Sequence, residues 1–120
     1  MGLRQGDVVI DCADHEAVVP FWQAVLGWER RNVNEQYVSL VPPAAEPGSS
    51  AAGPLPLLFQ KVPERKIVKN RVHLDWRSDD REAEVARLRD LGAVEMATRS
   101  LGSFTWTVMS DPEGNEFCVS

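Results

Sequence analysis

A chain of 120 residues, 43% hydrophobic and 26% charged, has the balance of an ordinary soluble globular domain and is long enough to bury a core without staples. Its net charge of -5 at pH 7, with Lys and Arg scattered rather than gathered into a stripe, argues against a phosphate-backbone partner, so nucleic acid is set aside. No apolar run approaches membrane-spanning length, and the start MGLRQGDVVIDC lacks a signal-peptide core, so no membrane partner and a cytoplasmic location are expected.

Residues 7 to 13, DVVIDCA, read as a strand rich in β-branched residues. Asp14 then offers a side-chain oxygen to cap a helix running to about Leu26, with Val18, Phe21, Trp22 and Val25 on one face. Pro20 removes one backbone donor within it, which predicts a kink or a late start, and Gly27 supplies a left-handed terminator. Three short strands follow, at 28 to 31, 36 to 41 and 55 to 62, giving a βαβββ unit.

The same grammar then repeats. RVHLDWR at 71 to 77 reads as a strand, Asp79 with Glu82 as a capping-box-like start, and Val85, Leu88 and Leu91 as the apolar face of a helix closed by Gly92. Strands near 93 to 98, 104 to 109 and 116 to 119 complete the unit. The last two are joined by SDPEGN, where Pro112 presets a turn and Gly114 and Asn115 tolerate positive φ. Aligning Asp14 with Asp80 sets Asp7 opposite His73, so an internal duplication is the simplest account. The chain is thus expected to be one α+β domain, residues 1–120, with modules at about 5–62 and 70–120. Between strands of the first module, PPAAEPGSSAAGPLP at 42 to 56 is either a tolerated insertion or a lid. Cys12 and Cys118 are expected as free, buried thiols.

With these segments in view, DHEAVVPFWQAVLGW in the first module and NRVHLDW, DLGA and DPEGNEFCV in the second, the chain resembles a glyoxalase-like domain of the vicinal oxygen chelate superfamily, which includes glyoxalase I, bleomycin-resistance proteins, fosfomycin-resistance enzymes and extradiol dioxygenases. The resemblance spans nearly the whole chain. It implies two βαβββ modules forming a cup-shaped, mostly antiparallel sheet, a small molecule held in the cup, a homodimer and, in the enzymes, a divalent metal. The family's ligand positions fall here on Asp7, Gln60, His73 and Cys118.

Chemistry weighs that set. A divalent ion needs several donors converging at about 2.0 to 2.3 Å. Asp7 and His73 are good donors, Gln60 offers a neutral carbonyl, and Cys118 must become a thiolate, which suits Zn better than Mg or Mn. No metal is therefore favoured; if one binds, Zn, Fe, Mn or Ni through Asp7, Gln60, His73 and Cys118 is the expectation. The alternative for His73 is a hydrogen-bonded strand residue. Strand alternation puts His73, Asp75 and Arg77 on one face, so His73 and Asp75 are the candidate catalytic pair, proton acceptor and orienting group; Asp75 alternatively pairs with Arg71 or Arg77. Trp28, Trp76 and Trp106 are candidates for an aromatic ligand wall, whereas Trp22 reads as core. The function this supports is binding of a small apolar or aromatic organic molecule, in a sequestering or resistance-type role without metal. The alternative is a metal-dependent lyase, isomerase or ring-cleaving dioxygenase.

Overall fold

A computed structural model describes residues 2–44 and 53–120. The connection at 42 to 56, with its lid alternative, falls largely outside them. The chain forms two compact units, Met1–Arg65 and Lys66–Ser120.

In the first unit β1 (Val8–Cys12) leads into α1 (His15–Leu26), followed by β2 (Glu29–Asn32), β3 (Tyr37–Val41) and β4 (Leu57–Lys61). The strand order is β1-β4-β3-β2, with β1 parallel to β4 and the other pairs antiparallel. The second unit repeats this order with β5 (Leu74–Trp76), α2 (Arg81–Leu91), β6 (Val94–Leu101), β7 (Phe104–Ser110) and β8 (Glu116–Val119), arranged β5-β8-β7-β6. Again the first and last strands of the unit pair in parallel. Both are βαβββ modules of an α+β fold, and the shared strand order is what a duplicated sequence unit should produce.

Local chemistry explains each helix. The Asp14 carboxylate accepts from the Glu16 backbone N–H at 2.9 Å, and Gly27 ends α1 at φ 69, its N–H donating to the Gln23 carbonyl. The helix begins at His15 and runs through Pro20, so the expected late start does not occur. Pro20 lies on the exposed side, where water can satisfy the carbonyl one turn earlier. In α2 the cap is Asp80 rather than Asp79: its carboxylate accepts from the Ala83 N–H at 3.1 Å. Leu91, expected on the apolar face, is 37% exposed, and the buried side of this charged helix narrows to Val85 and Leu88.

One face of each sheet carries its helix. In the first unit Val18, Val19, Phe21 and Trp22 pack down on Val38, Leu40, Leu57 and Phe59, all buried. His15 ties the start of α1 to the sheet, its Nε2–H donating to the Phe59 carbonyl at 3.1 Å. In the second, Val85 and Leu88 cover Met109, Phe117 and Val119. Arg81 reaches from α2 to donate to the Thr107 hydroxyl at 2.8 Å, and that hydroxyl also bonds Thr98 Oγ1 at 3.0 Å. Thr107 is fully buried, so this side-chain network anchors helix to sheet.

The β7–β8 turn is built on a buried acid. Asp111 accepts from the Glu113 and Asn115 N–H groups at 2.9 and 3.0 Å, and Gly114 alone takes positive φ, at 86. Asn115, expected to share that conformation, does not, because Asp111 already organises the loop. Cys12 and Cys118 are both free and buried.

Candidate functional site

The sheet faces opposite the helices hold the candidate residues. Strand β5 is only three residues long, so His73, read as a strand residue, stands immediately before it. The chain from Lys66 to Asn70 is drawn to Glu116 instead of to the ladder. The Asn70 N–H donates to Glu116 Oε2 at 2.8 Å, and Lys66 and Lys69 lie 4.0 and 3.7 Å from the same carboxylate. Those contacts, the Asn70 hydrogen bond first, hold the Glu116 carboxyl below its ordinary range.

From that anchored segment His73 projects toward Asp75, with Nε2 to Oδ1 at 3.5 Å. Asp75 therefore meets His73, and the alternative pairing with Arg71 or Arg77 is not the contact observed. Across the parallel pair Asp75 stands directly opposite Cys118. The Cys118 side chain is buried, and burial first, then the Asp75 carboxylate that accepts from its thiol, push its pKa up. An imidazole nitrogen of His73, a carboxylate oxygen of Asp75 and Cys118 Sγ all lie within 4.8 Å of one another. The row continues to Val108, opposite Cys118 on β7, and Ala97 on β6.

Beside this polar trio runs an aromatic strip. Phe104 and Trp106, two apart on β7, stack with centroids 5.6 Å apart. The Arg77 guanidinium sits 5.9 Å from the Phe104 centroid, within cation–π range. Arg99 is opposite Trp106 in the ladder. Phe104 is 46% exposed, so it has surface left to offer a ligand. Phe104 and Arg99 were not singled out in the sequence. The signal was available, since alternation along FTWTV puts Phe104, Trp106 and Val108 on one face. Of the other tryptophans, Trp22 is core and Trp28 and Trp76 are half-buried.

The remaining two sequence candidates lie in the first unit. Gln60 on β4 stands opposite Asp11 on one side and Tyr37 on the other. Asp7 is exposed just before β1. The four residues at the family's ligand positions thus divide between the two units, and Asp75 joins the pair in the second.

A model of the glyoxalase-like domain matches residues 7–120. The chain belongs to this family. Its fold is that of the vicinal oxygen chelate superfamily, and solved structures agree. FosX, a fosfomycin resistance protein from Listeria monocytogenes solved with Mn(II) and 1S,2S-dihydroxypropylphosphonic acid, superposes with a TM-score of 0.75 at 12% identity, covering 99% of this chain and 90% of that one. A glyoxalase/bleomycin resistance protein/dioxygenase family enzyme from Burkholderia phytofirmans PsJN gives 0.70 at 20% identity, covering 95% and 94%. The bleomycin-binding protein of Streptomyces verticillus, solved with copper(II)-bleomycin, gives 0.64 at 18%, covering 100% and 98%. No curated protein matches the chain.

A divalent metal is implied for enzymes of this glyoxalase-like family, and the donor chemistry here can be tested against one. Donors on a tetrahedral ion at about 2.0 to 2.3 Å lie about 3.3 to 3.8 Å apart. The His73–Asp75 separation of 3.5 Å meets that spacing, and the full trio lies within 4.8 Å, so it must contract to bind one ion. The set of imidazole, carboxylate and thiol fits a borderline ion. No helix among the described residues is long and apolar enough to cross a membrane.

Proposed function

We propose that this glyoxalase-like domain binds a small organic molecule with an aromatic or apolar body against the helix-free face of its second module, in a sequestering role. The observation that carries the reading is the Phe104–Trp106 stack, its Phe104 ring exposed and faced by Arg77, on the sheet face that also bears Asp75 and Cys118. An aromatic face buries much apolar area, and the nearby polar groups orient whatever oxygen or nitrogen the ligand bears. Arg77 and Arg99 favour a ligand that carries an acidic group. The bleomycin-binding protein and FosX, each solved with a small molecule, support the reading through their shared fold. As the resemblance implies, the modules work as one domain and the protein as a cytoplasmic homodimer.

Calorimetry on protein dialysed against chelator tests this. The probes are 1-naphthoate, a planar aromatic acid, and metal-free bleomycin. Saturable binding of either at about one per chain, lost in Phe104→Ala and weakened in Arg77→Ala, supports the proposal. Absence of saturation with both sinks the aromatic-ligand reading.

A second reading, a metal-dependent enzyme, is favoured by the clustering of His73, Asp75 and Cys118. A divalent ion supplies Lewis-acid polarisation of a substrate oxygen. The chain's own part would be to hold the ion through His73 and Cys118, with the Asp75 carboxylate, 3.5 Å from His73, moving the proton. The two readings separate on whether turnover of any bound ligand appears after metal is restored.

A further inference from the structure

We infer that the ligand of the second module is an aromatic dicarboxylate, its ring system laid on Phe104 and Trp106 and one acidic group taken by each of Arg77 and Arg99. The inference rests on the proposed aromatic-ligand reading and names the class of that ligand.

Strand register puts the two cations at opposite ends of one row. The β5–β8 ladder continues past Trp76, with the Ser120 N–H donating to the Trp76 carbonyl at 2.9 Å and the Ser78 N–H to the Ser120 carbonyl at 2.7 Å. Arg77 is thereby level with Ser120. Val119 pairs with Thr107, so Ser120 is level in turn with Trp106, which pairs with Arg99. Strands lie about 4.8 Å apart, so the ends of the row Arg77, Ser120, Trp106, Arg99 are about 14 Å apart along the backbone. That span leaves room for a bicyclic ring and its two substituents. Leu101, the ladder partner of Phe104 and 75% exposed, extends the apolar floor beneath such a ring.

The chain has 18 acidic residues against 13 basic ones, so acids to pair with are plentiful. On the other strands and helices Arg30, Arg31, Arg81, Arg87 and Arg89 each hold a glutamate. Among the described residues Arg77 and Arg99 form no such pair. Asp75, two residues from Arg77, meets His73 at 3.5 Å instead. Glu84 and Asp79 line a surface depression with Arg77, yet Glu84 is held by Arg87 and Asp79 makes no ion pair with Arg77. A guanidinium matches a carboxylate in two parallel hydrogen bonds, so an unpaired arginine at each end of an aromatic strip selects an acid at each end of the ligand. The net charge of -5 sharpens the point, because the chain as a whole repels a dianion and any gain from a second carboxylate must come from local cations.

Calorimetry on the full-length, chelator-dialysed protein at low ionic strength tests the assignment with 2-naphthamide, 2-naphthoate and naphthalene-2,6-dicarboxylate, one ring system bearing zero, one and two charges. Each carboxylate should tighten binding about two- to fivefold, the range for an exposed ion pair. The gain should fade as salt is added. The advantage of the diacid over the monoacid should disappear in Arg77→Ala and in Arg99→Ala. It should persist in Arg31→Ala, which removes a positive charge from the first unit. Arg77 and Arg99 are exposed, so their variants should fold, and circular dichroism checks this. A diacid that binds no tighter than the monoacid, an advantage that survives in Arg99→Ala, or one that Arg31→Ala also removes overturns the assignment. Saturable binding of the amide and the monoacid, lost in Phe104→Ala, with no gain for the diacid defeats this inference and leaves the aromatic-ligand reading standing. No saturation by any of the three defeats both.

Discussion

Asn70 and Glu116 grip one another from both directions: the Asn70 N–H donates to Glu116 Oε2 at 2.8 Å, and the Glu116 N–H donates to Asn70 Oδ1 at 3.3 Å. The bond spans 46 residues and fixes the chain three residues before His73. Removing the carboxylate in Glu116→Ala leaves the Asn70 N–H and two lysines without their acceptor. We expect a loss of about 1.5 to 3 kcal/mol, the range for hydrogen bonds to charged groups. The local signature is sharper than the global one. Amide hydrogen exchange at 68 to 73 should accelerate while amides of α1 keep their rates. Equal protection of the 68 to 73 amides in the variant would mean that the clamp does not hold the segment carrying His73.

The Thr107 hydroxyl joins α2 to the sheet. It is fully buried, accepts from Arg81 and bonds Thr98. Thr107→Val keeps the shape but removes the acceptor of Arg81 Nη1 on a guanidinium with a side-chain exposure of 22%, leaving it the exposed Glu82 carboxylate at 3.7 Å. The expected cost is about 1.5 to 3 kcal/mol, the range for hydrogen bonds to charged groups. Urea unfolding should show a lower midpoint at unchanged slope. Thr98→Val, at an exposed position, should cost less because Arg81 keeps its acceptor.

The features legible in the sequence were those with local causes. Asp14, Gly27 and Gly92 mark helix ends by side-chain capping and backbone freedom, and the repeat of cap, apolar face and glycine exposed the duplication. Strand β5 was read as seven residues and is three, because Val72 is 80% exposed and the chain before it is committed to Glu116, a contact no local pattern announces. The irregularity between Glu95 and Ala97 in the β6–β7 ladder was equally invisible. In the site, alternation placed Asp75 with His73. That Cys118 faces Asp75 depends on the parallel register of β5 with β8, which is set by packing across more than forty residues. Asp7 and Gln60 came from resemblance alone, and the first unit sets Gln60 beside Asp11 and Tyr37.

Glu84 gives a dependence on pH whose sign is fixed. Hydrogen bonding to Arg87 holds its carboxyl below the ordinary 4.5, helped by the charge of the same guanidinium. A group with a depressed folded pKa contributes stability above its unfolded pKa and loses it as pH falls through the folded value. The contribution should therefore be complete at pH 7 and decline as pH drops below 4.5. For an i, i+3 pair that is partly exposed, about 0.3 to 0.5 kcal/mol is expected. Glu84→Gln should be less stable than the parent by that amount at neutral pH, and the two urea curves should converge in acid. A gap that persists unchanged below the folded pKa would assign the effect to packing rather than charge.

Two aromatic side chains should separate stability from binding. Trp22, on the buried side of α1, is 2% exposed and meets Phe21 edge to face at 5.1 Å, so it belongs to the core of the first unit. Trp22→Ala should cost about 3 to 5 kcal/mol, the range for emptying an aromatic core site. Phe104 is 46% exposed at the start of β7, so its alanine variant removes about half the burial of a core ring, and about 0.8 to 1.5 kcal/mol is expected. Yet Phe104 carries the face on which Arg77 rests and stacks with Trp106, so its loss should abolish 1-naphthoate binding in calorimetry while the urea midpoint moves far less than in Trp22→Ala. Arg77→Ala should act in the same direction but less strongly, because the aromatic surface survives without its cation. If Phe104→Ala instead unfolds the second unit, the strip is a structural element and the ligand surface must lie elsewhere on the sheet.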